Sequence, residues 1–228
     1  MKETAHTMKS PGKGLKKTVI REILINQYIS NFSELSQKAR KNLLKDLEVF
    51  GNSILSSLVA NKSKAIILPL NKKFTDLKEY SHLKGKPFYV KGYGKHDFYK
   101  TFDEVRGWGG NPAVIGEEWV VAKDKHIFNV VQHEVAHQIQ GVLPKHIQEK
   151  IHSAYLKAKK EGYIRKNSSL CDGEYFAEAA AFYFNNSPSR KLQGYFDMDR
   201  IYNRKLLLKT DKILYSIIKE IFGNSKNI

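Results

Sequence analysis

Apolar positions recur every three to four residues over 17–29, where Val19, Ile20, Ile23, Leu24 and Tyr28 share one helical face. The same period runs through 33–58, in Leu43, Leu44, Leu47, Phe50, Ile54, Leu55 and Leu58. Ser33, followed by Ser36 and Gln37, marks its capped start, and Gly51 and Asn52 break it in two. The pattern then changes. Residues 64–70 are a short apolar run stopped by Pro69, which predicts a buried strand. A short helix over 74–80 and a second strand over 86–91 follow, and Gly92, Tyr93 and Gly94 turn the chain. In the glycine-rich stretch 105–122, Ala113 to Ile115 and Trp119 to Ala122 read as two short strands joined through Gly116 and Glu117. Helical periods return over 125–140, ended by Gly141, and from Pro144 to about Lys160, closed by Gly162. After a loop, 172–185 is helical and 192–198 irregular. Residues 201–222 are largely helical, with Ile213, Leu214, Ile217, Ile218 and Ile221 as the buried face. Helices at both ends and a few strands between them predict an α+β protein with a small mixed sheet.

The 228 residues suit a flexible basic arm at 1–16 and one domain over 17–228, with 17–62 as its helical first part. No run approaches the roughly 18 apolar residues of a membrane span, so no transmembrane segment is expected. The first residues lack the apolar stretch of a signal peptide; a secreted protein whose leader has been removed would read the same way. A single cysteine, Cys171, excludes an internal disulfide. The net charge of +16 either draws the chain to an anionic surface or an acidic partner or serves only to keep it soluble. Because the lysines are spread along the chain and no nucleic-acid motif accompanies them, no nucleic acid partner is expected.

Chemistry concentrates in His133-Glu134-x-x-His137. Histidines four apart lie on one helical face and can hold Zn²⁺, with the glutamate beside the water they leave room for. Two core histidines and a solvated glutamate would give the same letters. Zinc needs a third protein ligand. His146 comes nine residues after His137 without the glycine that a histidine-ligand class uses, and both His146 and His152 read as surface residues. Glu174 and Glu178 are better placed, one turn apart on a helix that is otherwise apolar (Phe176, Ala177, Ala179, Ala180, Phe182). Carboxylates there are costly unless a cation or donors satisfy them. One can bind the metal while the other orients a ligand histidine. Ahead of the motif, Gly107, Gly109 and Gly110 allow close backbone approach, and Trp108 either walls a substrate pocket or sits in a tight turn as a core residue. An exposed strand here could take an extended peptide by strand addition.

His133-Glu134-x-x-His137 followed by Glu174-Tyr-Phe-Ala-Glu178-Ala resembles the catalytic domain of the anthrax lethal factor family, which includes secreted Pro-Pro endopeptidases. The resemblance covers roughly 64–222. It implies a zincin of the gluzincin type, with 63–228 as catalytic core and one Zn²⁺ per chain. His133, His137 and Glu174 would be the ligands, Glu134 the general base on the zinc-bound water, and Glu178 a residue behind the ligands. Trp108, Gly109 and Gly110 fall on the substrate side. The family places an oxyanion-stabilising tyrosine seven residues before the ligand glutamate. Here that position is Asn167: either Tyr163, the nearest tyrosine, supplies the hydroxyl, or another donor serves, or catalysis is weakened. The implied function is zinc-dependent hydrolysis of a protein or peptide substrate by an extracellular, toxin-related enzyme. The alternative is an inactive lethal-factor-like domain that docks a protein or a surface.

Overall fold

The computed structural model describes residues 13–90, 98–121, 129–164, 168, 170–185 and 203–223. The expected basic arm up to residue 12, the turn at 92–94, the irregular stretch 192–198 and Asn167 lie outside them. Three helices open the chain: α1 (Lys13–Tyr28), α2 (Gln37–Leu47) and α3 (Gly51–Ala60). Ser36, not Ser33, caps α2: its hydroxyl accepts from the Ala39 amide at 3.2 Å, while Ser33 falls in the short turn Phe32–Glu34. Gly51 makes the expected break with φ of +76°, a conformation that favours glycine. The stripe expected on α1 is only partly buried. Ile25 and Tyr28 are in the core, but Val19, Ile20 and Ile23 are about half exposed, since only the last turns of α1 pack inward.

The strands are β1 (Ala65–Leu68), β2 (Pro87–Val90), β3 (Phe98–Thr101), β4 (Gly107–Trp108) and β5 (Ala113–Gly116). β2 and β3 form an antiparallel pair of their own. The other three run in the order β1-β5-β4, with β1 parallel to β5 and β4 antiparallel to it. Among the described residues β4 is therefore an edge. The second strand expected at Trp119 to Ala122 is instead the short helix α4 (Glu117–Val121). Two acidic residues in its first turn suit a helix N-terminus. Glu118 turns back to Arg106, which reaches it through Nε at 2.8 Å and Nη2 at 2.6 Å. The same guanidinium donates to the carbonyls of Leu68, Pro69 and Lys72, tying β1 to the start of β4.

The remaining described elements are helices: α5 (Val130–Val142), α6 (Lys145–Glu161), α7 (Asp172–Phe184), α8 (Arg204–Thr210) and α9 (Lys212–Phe222). α5 runs through Gly141 rather than ending at it, and α6 ends at Gly162 with φ of +74°. Asp211 separates α8 from α9 and caps the latter by accepting from the Leu214 amide at 2.9 Å. Leu214, Ile217 and Ile218 of α9 are buried, whereas Ile213, expected with them, is exposed. One large core joins both ends of the chain: Phe50 lies 5.3 Å from Phe184 and 5.6 Å from Phe222, ring to ring. A smaller aromatic cluster under the edge strand holds Phe74, Tyr80, Phe88, Phe102 and Trp108. No helix among the described residues is long and apolar enough to cross a membrane.

Candidate active site

α5 begins where Asn129 caps it, accepting from the Gln132 amide at 3.1 Å and donating to Asp46 of α2 at 2.7 Å. Val131, Val135 and Ile139 bury one side of the helix. His133, Glu134 and His137 therefore emerge on a side turned toward α7, the element with which α5 packs most closely. α7 is capped by Cys171, whose Sγ accepts from the Glu174 amide at 3.5 Å, so Glu174 stands in its first turn.

The three side chains meet. His133 Nε2 and His137 Nε2 are 3.2 Å apart, and each lies 3.4 Å from an oxygen of Glu174. A tetrahedral ion with bonds of about 2.0–2.1 Å holds neighbouring ligand atoms roughly 3.3 Å apart. Two imidazole nitrogens and one carboxylate at these separations fit such an ion, and three protein ligands leave its fourth position open. His133 and His137 are largely shielded, and Glu174 is the most exposed of the three, so the site opens on its side. Burial alone would raise the Glu174 carboxyl. Hydrogen bonds and charge from the two histidines more than reverse this and hold it well below the usual carboxylate range. It is thus a ready anionic ligand.

Glu134 is buried beside this cluster, and burial followed by the charge of Glu174 pushes its carboxyl up to about 8. A bound cation would oppose both effects. Edge strand β4 lies directly over it. A Cβ at Gly107 would come within 2.5 Å of Glu134 Oε1, and one at Gly109 within 2.5 Å of the His137 ring. The glycines expected to allow close approach therefore approach the general-base candidate and a candidate ligand histidine.

Residues 15–194 match the family described as anthrax toxin lethal factor, N- and C-terminal domain. The chain belongs to the anthrax lethal factor family. A "Pro-Pro endopeptidase" of Clostridioides difficile (strain 630) is 30% identical over 169 residues, 72% of this chain and 72% of that one. The solved structure of the Pro-Pro endopeptidase PPEP-2 from Paenibacillus alvei has the same fold. Its TM-score is 0.52 at 20% identity, over 82% of this chain and 93% of that one. The family match starts well before the resemblance expected over 64–222, taking in α2, α3 and nearly all of α1, and it stops at residue 194, short of α8 and α9.

The chain brings four of the expected residues together at one place. His133, His137, Glu174 and Glu134 converge under Gly107 and Gly109. Trp108 is partly buried in the aromatic cluster, 5.9 Å from Phe74 and 6.3 Å from Phe88, and Gly110 packs against its indole nitrogen. Glu178, buried, accepts a hydrogen bond from Ser168. It lines a cavity of about 80 Å³ behind α7, shared with Tyr163, Tyr175 and Asp211. Tyr163 belongs to that cavity, where burial, then Asp211 and Glu161, push its phenol up. His146 is exposed, and His152 is a largely exposed partner of Asp172 at 2.9 Å. Sequence reasoning passed over Gln138, next to His137, and took Tyr28 only as an apolar helical position; yet Tyr28 donates to Gln138 at 2.5 Å. The available signal was a second polar side chain one turn after Glu134 on the same face of α5.

Proposed function

We propose that this chain is a zinc-dependent endopeptidase of gluzincin type that cleaves proline-containing protein or peptide substrates outside the cell. The observation that carries this reading is the meeting of two imidazole nitrogens 3.2 Å apart, each 3.4 Å from a different oxygen of the Glu174 carboxylate, with Glu134 buried beside them. His133, His137 and Glu174 would hold the ion. Zinc, when bound, supplies a Lewis acid that polarises the scissile carbonyl and makes water easier to deprotonate. Glu134 takes the proton of the attacking water and returns it to the leaving amine. The β4 edge offers backbone groups to an extended peptide, and its glycines let that peptide lie close to the reacting groups. Proline at the cleavage point is supported by the relatives' names. The Trp108 cluster adds a partly exposed aromatic surface against which prolyl rings can pack.

The test is mass spectrometry of products from a combinatorial peptide library, run on zinc-loaded protein with and without a chelator. Cleavage at proline-containing bonds that stops on chelation supports the proposal. A zinc-loaded chain that cuts nothing would instead be a docking module, a reading favoured by the position of Tyr163 in the cavity behind α7.

A further inference from the structure

We propose that Gln138 is a positioning residue that sets the spacing between the metal-binding helix and the substrate-side edge strand, and that Tyr28 of α1 locks it in place. This rests on the endopeptidase reading for its consequence in turnover, but its structural basis is independent. Gln138 follows His137 on α5 and is buried. Its amide is used on both sides. Nε2 donates to the Gly110 carbonyl at 2.7 Å and to the Lys64 carbonyl at 2.8 Å. Oε1 accepts from the Tyr28 hydroxyl at 2.5 Å. With both amide hydrogens given to carbonyls and the oxygen taken by a phenol, only one orientation of the amide satisfies every partner.

Three separate elements are gathered at this one side chain. Lys64 precedes β1, and its carbonyl also accepts from the Ala113 amide that opens β5. Gly110 immediately follows Gly109, whose Cα lies against the His137 ring. The bond to Gly110 therefore fixes how far the strand stands above the ligand histidine and, two residues back, above Glu134. From the other side Tyr80 donates to the Pro112 carbonyl at 2.6 Å, so the segment is held at both ends. α1 then has a function beyond packing: its Tyr28 hydroxyl prevents the Gln138 amide from turning over, a flip that would set its oxygen against two carbonyls. A buried network of this kind holds one geometry only while every member is satisfied.

The test compares Gln138→Met and Tyr28→Phe with the wild type, as full-length zinc-loaded proteins. Zinc content is measured first, then hydrogen exchange of the amides at 107–111, then kcat and KM on library peptides that the wild type cuts. We expect stoichiometric zinc, faster exchange at 107–111 with α5 unchanged, and a KM raised about tenfold while kcat moves less than about twofold. Tyr28→Phe should change the same quantities in the same direction but less, and it carries the test if Gln138→Met does not fold. Wild-type exchange and KM in a folded variant would overturn the proposal, as would loss of zinc or a fall confined to kcat. If the wild type cuts no peptide, the endopeptidase reading fails, and the exchange measurement alone decides the role of Gln138.

Discussion

Gly107 lies over Glu134 so closely that a single methyl group on it would stand 2.5 Å from the Glu134 Oε1 carboxylate oxygen. The edge strand and the active-site helix are thus in contact through the one residue type that leaves room for the buried acid. Gly109 stands in the same relation to the His137 ring.

Gly109→Ala should therefore damage the candidate metal site, because the clash is with the ring and Cβ of His137 rather than with the end of a flexible chain. We expect a loss of stability of about 1–3 kcal/mol and weaker zinc binding. Gly107→Ala should keep zinc and lower kcat, since it displaces only the end of Glu134. Thermal melts, zinc titrations and peptide turnover of both variants check this.

Glu134→Gln removes the proton acceptor while keeping its shape. Zinc content should stay at the wild-type level and kcat should fall by roughly 10²–10⁴-fold. Turnover near the wild-type rate in a zinc-loaded variant would remove Glu134 from the mechanism.

Glu174 and Glu178 are one turn apart but should respond differently. Glu174→Ala deletes the carboxylate whose two oxygens each stand 3.4 Å from one of the two histidine nitrogens, and should abolish tight zinc binding. Glu178→Ala should leave zinc bound but cost about 2–3 kcal/mol, because it strands the Ser168 hydroxyl and opens space in a buried position. Zinc stoichiometry and denaturant unfolding of the metal-free proteins separate the two.

Asp103 provides a pH signature away from the metal. Its carboxylate accepts from Thr75 at 2.5 Å and from the Gly85 amide at 3.3 Å, with Lys73 at 3.6 Å. The Thr75 bond, then the Gly85 bond and Lys73, hold its pKa below the ordinary value. A depressed carboxyl contributes stability that is present above its unfolded value of about 3.9 and is lost as pH falls through the folded value. The melting temperature of the wild type should therefore drop more steeply below about pH 4 than that of Asp103→Asn. Parallel melts across that range are the measurement; identical slopes would refute it.

Local patterns carried much of this molecule. The period of three to four gave α2, α3, α6, α7 and α9, and the apolar run before Pro69 gave β1, because these features follow from backbone geometry and side-chain burial alone. They failed where a distant partner decided the outcome. Trp119 and its neighbours have the composition of a strand, but Arg106 draws Glu118 back and the segment winds into α4. Val19, Ile20 and Ile23 form a proper helical stripe, yet nothing among the described residues covers them, and they stay at the surface.

The same division holds at the site. Spacing within a helix determined that His133 and His137 share a face with Glu134 beside them, and that Glu174 and Glu178 share another. Two carboxylates one turn apart are equivalent in sequence. Only the packing of α7 on α5 selects Glu174 to face the imidazoles and turns Glu178 toward Ser168. Tertiary structure likewise revealed what the glycines approach and why Gln138 matters, since Tyr28, Lys64, Gly110 and Gln138 are far apart along the chain and meet only once it has folded.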